Sequence, residues 1–221
     1  MDTLRDLFFA LASLSHLELM LGLFITGTVI IVLEDWRLNL WALMAQVVLV
    51  GVLLVRVMPL QVALVKIIVG GMVCVILYLT ARRVQRGGEL AATQGSHDAR
   101  TAGREVFTMN LWFRLLVALL VAVVTYALGS RHPFVVQPQG ISQASYWLVG
   151  IGLLTVVMTT DIFKVGLGLI TFQAGFGILL ATFEKSLSVA ALVGVVDILI
   201  ALAITYLISA QMAFTVEDET A

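Results

Sequence analysis

Two ionisable side chains lie deep inside long apolar runs of this chain, where they could bind and release protons. Asp197 stands about ten residues into the last run, LSVAALVGVVDILIALAITYLI, and is the only charged residue in it. Lys66 lies seven residues after Pro59 in an earlier run. A charged group near the centre of a lipid bilayer costs at least a few kcal/mol to insert, so we treat both residues as functional candidates.

The sequence leaves two interpretations open for each candidate. The Asp197 carboxyl could relay protons, or it could join neighbouring helices through a hydrogen bond. Lys66 could exchange protons, or its long side chain could extend to the membrane surface. Gln46 and Gln173 cannot titrate, but they can bind a neighbour or hold a chain of waters. Glu18 is expected at an interface if the first helix starts near residue 12, and deep in the membrane if residues 4–11 are also embedded. These five residues are the proton-path candidates.

Other spacings predict local structure rather than chemistry. Asp161 and Lys164 are three residues apart at a helix junction, which favours a local ion pair. The single cysteine, Cys74, is expected to pack as a small apolar residue. Small residues allow close helix packing in membranes, against the next helix or another subunit. Four glycines of the sixth apolar run fit this role: Gly166, Gly168, Gly175 and Gly177.

Composition predicts the protein class. Of 221 residues, 61% are hydrophobic and only 12% are charged, with a mean hydropathy of +1.06. Soluble domains average about a quarter charged residues, and a soluble protein of this size could not bury so much apolar surface. This argues against a soluble enzyme, a nucleic-acid binder and a disordered protein. No phosphate-binding loop, dinucleotide fingerprint or metal-ligand motif is present, so we expect no catalytic residue, cofactor or metal site.

Seven apolar segments are long enough to cross a bilayer, which needs about 20 residues per helix. The predicted fold is therefore an all-α polytopic membrane protein with about seven transmembrane helices. The segments are 12–33, 38–58, 60–81, 109–129, 144–162, 164–183 and 188–210.

The chain also shows a weak internal repeat, at an offset of about 128 residues. Ala63-Leu64-Val65 matches Ala191-Leu192-Val193, and Tyr78 falls on Tyr206. The repeat predicts two parallel three-helix units joined by a central helix. The expected divisions are a first repeat (1–81), an Arg-rich flexible loop (82–106), a linker helix with an outer loop (107–143), a second repeat (144–212) and an acidic tail (213–221).

Charge distribution predicts the orientation. One side of the predicted bundle holds four Lys and Arg residues, and the other holds seven, mostly in the 82–106 loop. The positive-inside rule places the richer side in the cytoplasm, so the N-terminus is expected outside and the C-terminus inside.

The last three spans resemble a known group of membrane subunits. DIFKVGLGLITFQAGFGILLATF followed by ALVGVVDILIALAITYLI is similar to the K subunit of respiratory complex I and the C subunit of multisubunit cation/proton antiporters. The closer likeness is to component E of hydrogenase-4 and formate hydrogenlyase. WRLNLWALMAQVVLVGVLL, leading into a helix that ends TARR, extends the resemblance to the first half of the chain.

The resemblance implies a membrane-arm subunit of an ion-translocating redox or antiporter-like complex, without a cofactor of its own. Asp197 would take the place of the acidic residue in the last helix, while Gln173 stands where component E has a glutamate. The family lysine would align near Val69, so Lys66 would substitute from one turn away. The implied partners are large antiporter-like subunits, other membrane-arm subunits and lipid, in a bacterial or archaeal inner membrane. The alternatives are a stand-alone small transporter or channel, and a passive anchor for a soluble enzyme.

Overall fold

A computed structural model of the chain describes five stretches, in which every element is an α-helix. The described residues are 16–33, 35–94, 111–132, 140–184 and 186–218, with side chains described over 18–33, 35–83, 112–132, 140–184 and 186–211. The helices are α1 (His16–Val32), α2 (Trp36–Val55), α3 (Leu60–Gln94), α4 (Leu111–Arg131), α5 (Gly140–Met158), α6 (Ile162–Phe183) and α7 (Leu187–Asp218).

Six of these helices, α2 to α7, are long and apolar enough to cross a membrane. The apolar part of α1 within the described residues, Glu18–Val32, is shorter. The predicted start of the first span, at residue 12, lies outside the described residues. The all-helical fold is therefore confirmed and is compatible with a membrane protein, while the number of spans and the repeat arrangement stay predictions.

Several helix ends differ from the predicted ones. Helix α3 continues to Gln94, so the prediction of a flexible loop is wrong for 82–94, where Arg, Gln, Glu, Leu and Ala favour a helix and outnumber two glycines. The rest of that loop, 95–106, lies outside the described residues. Helix α7 likewise extends through Asp218 into the predicted acidic tail. Helix α5 begins at Gly140, four residues before the predicted start, so the polar connection is shorter than expected.

Helices α2, α3, α7 and α6 pack in a ring, each against the next. Helices α3 and α7 run parallel. Their contacts show this, since earlier residues of α3 meet earlier residues of α7 and later residues meet later ones. Lys66 meets Asp197 near one end, and Thr80 shares a 2.9 Å hydrogen bond with Thr205 towards the other. Helices α1, α4 and α5 complete the bundle, with α5 packed on α1, α4 and α6.

Trp147 of α5 contacts α1 through a hydrogen bond and a stacked aromatic ring. Its indole Nε1 donates a 3.0 Å hydrogen bond to the carbonyl oxygen of Leu23, and its ring stacks on Phe24 with the centroids 4.1 Å apart. The side chain is only 1% exposed. Gly27 makes the approach possible, since a Cβ there would lie 3.0 Å from Nε1.

Glycines set the close packing of α5 on α6, where the two backbones approach each other. Gly168 lies against Thr155 and Val156 of α5, and the hydroxyl of Ser145 donates a 2.8 Å hydrogen bond to the carbonyl oxygen of Gly175. The small-residue face of α6 therefore packs against other helices of the same chain. A side chain larger than glycine at these positions would separate the helices.

Gly152→Ala should destabilise the protein. A Cβ at residue 152 would lie 2.7 Å from the Phe172 Cα and 2.8 Å from the Gly168 carbonyl oxygen. Backbone atoms cannot swing aside, so we expect a loss of about 1–3 kcal/mol in the free energy of unfolding. Gly71→Ala is the matched control, because a Cβ at residue 71 would have no atom of another residue within 4 Å. Thermal unfolding of both purified variants in one detergent checks this, and equal midpoints would contradict the close packing.

Candidate functional site at a buried ion pair

A polar layer divides the apolar interior of the helix ring. Two clusters of buried apolar side chains lie along the bundle, and in each ring helix a candidate residue stands between them. In α2, Gln46 lies between Leu43 of one cluster and Val50 of the other. In α3, Lys66 lies between Ala63 and Val73. Gln173 of α6 and Asp197 of α7 stand at the corresponding levels of their helices.

Lys66 and Asp197 form an ion pair at the centre of this layer. The Lys66 Nζ donates to the Asp197 Oδ2 across 2.5 Å, and the two side chains are 14% and 5% exposed. Asp197 is the only charged residue in the apolar part of α7, and its carboxylate is paired across the α3–α7 interface. Lys66 therefore points into the bundle instead of extending to the surface.

Helix geometry places the pair well inside the membrane. Lys66 is six residues beyond the start of α3, and Asp197 is ten residues beyond the start of α7. At 1.5 Å per residue, they lie about 9 Å and about 15 Å along their helices. Because a bilayer core is about 30 Å thick, the pair lies where an unpaired charge would be costly.

Two small cavities flank the pair at the centre of the ring. One has about 20 Å³ of space for the centre of a water molecule and is lined by both Lys66 and Asp197, with Gly70 and Ala174. The other, of about 30 Å³, extends from Lys66 to Glu184 at the ends of the helices. About 10–15 Å³ of such space holds one water. Lys66 thus borders both cavities, and the second leads from it towards one face of the bundle.

Buried polar atoms without a hydrogen-bond partner continue this layer towards the opposite face. Within the described residues they include Oδ1 of Asp197, both amide atoms of Gln46, Oγ1 of Thr171 and Oδ1 of Asn39. Gln46 is one turn before Val50, and Thr171 is three residues before Ala174; both of these neighbours line the smaller cavity. Asn39 lies two turns before Gln46 on the same face of α2. Native proteins leave few such groups without water or another partner, so these positions suit bound water.

The remaining candidates differ in their relation to the pair. Gln173 is half-buried on the face of α6 that carries Ile170 and Gly177, which line the two cavities, and it makes no hydrogen bond within the described residues. Glu18 is exposed in the first turn of α1 and is not part of this layer. The structure therefore brings Lys66 and Asp197 into contact, places Gln46 and Gln173 on helix faces that also carry cavity-lining residues, and leaves Glu18 apart.

The predicted ion pair between Asp161 and Lys164 is wrong. Asp161 is the N-cap of α6, and its carboxylate accepts a 3.2 Å hydrogen bond from the Phe163 backbone N–H. The unpaired N–H groups and the dipole at a helix start attract a carboxylate, which accounts for this choice. Lys164 is 6% exposed on the buried face of α6 and has interactions of its own.

Sequence reasoning missed Asn39 and Thr171, and it assigned Gly177 only to close helix packing. In the structure Gly177 faces Lys66, since a Cβ there would lie 3.6 Å from the Lys66 Nζ, at ordinary contact distance. Asn39 and Thr171 carry no charge and are common types in membrane helices, so nothing in composition separates them from residues that pack. The one available signal was spacing: Asn39 and Gln46 are seven residues apart, and so lie on one helical face.

Replacing one member of the ion pair should destabilise the protein far more than replacing both. Lys66→Met or Asp197→Leu leaves a buried charge without its partner, at a cost of about 3–5 kcal/mol, whereas the double substitution should cost little. Unfolding of the purified variants by a denaturing detergent measures the cycle. Thr205→Val, which removes only a neutral contact of the same helix pair, is the control and should cost about 1 kcal/mol. Additive losses in the double variant would contradict a coupled pair.

Comparison of the chain with protein-family models, with curated proteins and with solved structures gave no match. The resemblance to hydrogenase-4 component E therefore stays a prediction from the quoted segments.

Proposed function

We propose that this chain is a membrane subunit of an ion-translocating redox or antiporter-like complex, and that it contributes a proton path centred on Lys66 and Asp197. The observation that carries the proposal is the ion pair itself, buried between α3 and α7 with a cavity on either side of Lys66. Two apolar side chains would hold these helices together at a lower desolvation cost. Proton transfer therefore explains a charged pair beside space for water better than the packing of α3 on α7 does.

The pair has the groups needed for a relay. Oδ2 of Asp197 accepts from Lys66, while Oδ1 is buried without a partner within the described residues. A proton that arrives at Oδ1 neutralises the carboxylate and weakens its attraction for the ammonium. Lys66 can then release a proton from Nζ into the cavity that leads to Glu184. One proton enters and one leaves, and the pair returns to its starting charge after the carboxyl proton passes to the lysine.

The polar groups extend the route beyond the pair. Gln46 in α2 and Thr171 in α6 lie about one turn beyond the smaller cavity, towards the starts of these helices. Asn39 lies near the start of α2. Each can hold water without titrating. Asn39 and Gln46 are seven residues apart, which is about 10 Å along α2. Such an interval suits a gate that a partner subunit controls.

Protons are favoured over sodium. The Lys66 ammonium occupies the side of the Asp197 carboxylate that a bound cation would use. Sodium needs several oxygen ligands around one point, and the described residues contain no group of three or more acidic, His or Cys side chains suited to a metal. A relay that exchanges protons between an amine and a carboxyl needs only the pair and water.

The helix contacts support the proposed two-repeat arrangement. At an offset of 128 residues, Lys66 corresponds to Gly194 and Asp197 to Val69. Val69 indeed lies against Gly194, since a Cβ there would be 3.2 Å from the valine. Each helix of the first triplet also packs on its counterpart: α1 on α5, α2 on α6 and α3 on α7. These contacts fit two parallel repeats around an axis normal to the membrane, in which the charged pair would occupy one of two equivalent positions.

A stand-alone transporter is the second candidate, and one observation favours it. The site lies where the two triplets meet, at mid-membrane, which is where transporters built from repeats hold their substrate. The two small cavities leave room for water or a proton but not for an organic solute. The two functions differ in whether the purified chain alone moves ions.

Asp197→Asn should reduce proton movement per assembled complex by more than the loss of stability from the unpaired Lys66 accounts for. The amide keeps the size of the side chain but cannot carry a proton, and a positioned proton-transfer group contributes about a hundredfold or more in rate. The measurement is proton uptake by membrane vesicles that contain the native complex, with subunit content checked by co-purification. Thr205→Val is the control and should leave uptake unchanged. Full uptake in the Asn variant would reject the relay and favour a passive anchor, while transport by the purified chain alone in liposomes would establish the second candidate.

The orientation predicted from charge has its own test. In a Cys74→Ala background, Ser96→Cys places a thiol in the Arg-rich segment, and an impermeant maleimide should label it only after the cells are permeabilised. Ser130→Cys, at the exposed end of α4, should be labelled in intact cells. The reverse pattern would place the N-terminus inside.

A further inference from the structure

A groove on the outer surface of the bundle, between α2 and α3, has the shape and charge of a lipid site. Its volume is about 550 Å³, which is within the range of ligand pockets. It lies at the membrane face opposite Glu184, where α2 begins and the membrane-spanning part of α3 ends. It shares no lining residue with the two cavities beside the ion pair.

One end of the groove is basic. Arg37 and Arg82 line it from the two helices, and both are exposed. Neither forms an ion pair with a carboxylate in the part of the chain that the structure describes. The Arg37 guanidinium lies over the Trp36 ring, 5.2 Å from its centroid, which fixes its position. Two guanidinium groups at one end of the groove, with no carboxylate partner among the described residues, match the charge of a phosphate.

The other end of the groove is apolar and open to the hydrocarbon. Leu40 and Cys74 are buried at its floor, whereas Trp41 is 73% exposed and Val75 is 55% exposed at its sides. Met44 of α2 lies seven residues beyond Arg37, so the groove extends about 10 Å along the helix from its basic end. Tyr78 and the two tryptophans lie between the two ends, as aromatic side chains do at the level of lipid headgroups.

We propose that this groove binds one phospholipid with an anionic headgroup. The phosphate and the headgroup charge lie between Arg37 and Arg82, and an acyl chain lies along Leu40, Met44 and Cys74. A wholly apolar occupant would leave both arginines without a counterion, and a free phosphate would leave the apolar floor empty. A phospholipid is the occupant that satisfies both ends. It would join α2 to α3 at the face where α2 enters the ring that holds the ion pair.

The test measures binding of two lipids with the same acyl chains, phosphatidylglycerol and phosphatidylcholine, to the purified full chain in detergent by native mass spectrometry. Two arginines at the surface favour the anionic lipid by about thirtyfold. Arg37→Gln with Arg82→Gln should remove this preference. Arg83→Gln, the matched control, removes one charge at the same face but does not line the groove, and should preserve the preference.

A second variant tests the groove apart from its charge. Val75→Trp fills the apolar end without changing any charge, and it should weaken the binding of both lipids while the protein remains folded. Equal binding of the two lipids to the unaltered chain would overturn the proposal, because the arginines would then recognise nothing. Loss of preference in the Arg83 control, or unchanged binding in the Val75 variant, would also overturn it, since either result would show diffuse attraction to the surface.

Discussion

The ion pair between Lys66 and Asp197 is the interaction on which the rest of the architecture depends. A charge in the hydrocarbon core is tolerated only when a partner of the opposite sign reaches it. The two residues are 131 positions apart, so the partner must come from another helix and in the correct register. Their pairing therefore fixes the relative position of α3 and α7, and these two helices belong to different halves of the chain.

Glycines make the surrounding geometry possible. In a membrane, helices gain little from apolar burial against one another, so close approach and dispersion contacts matter more. Gly152 and Gly168 bring α5 and α6 together, because a Cβ at either position would meet backbone atoms of the other helix. The polar layer is consequently narrow, with cavities of one-water size rather than an open pore. Such a layer has space for single water molecules and excludes larger solutes.

The two faces of the α2–α3 pair have different chemistry. Towards the interior of the ring, α3 presents one cation to a carboxylate, and the charges cancel. On the outer surface, Arg37 and Arg82 lack a carboxylate within the described residues and lie at headgroup depth. Burial accounts for the difference, because a charge in the core must be neutralised by the protein, whereas a charge at the interface can be neutralised by lipid or water.

The sequence alone determined the protein class, the approximate place of most helices and the residue types that matter. Long apolar runs leave few alternatives to membrane helices, and Asp197 and Lys66 were evident as charges inside such runs. Helix ends were less predictable: α3 continued through 82–94 because polar residues that favour a helix look the same as those of a loop. Only the tertiary structure decided that the two charges meet, that Asn39 and Thr171 extend their layer, and that Asp161 caps a helix instead of pairing with Lys164. Local periodicity shows which face of a helix is apolar, but the helix that covers this face is chosen by the packing of the whole bundle.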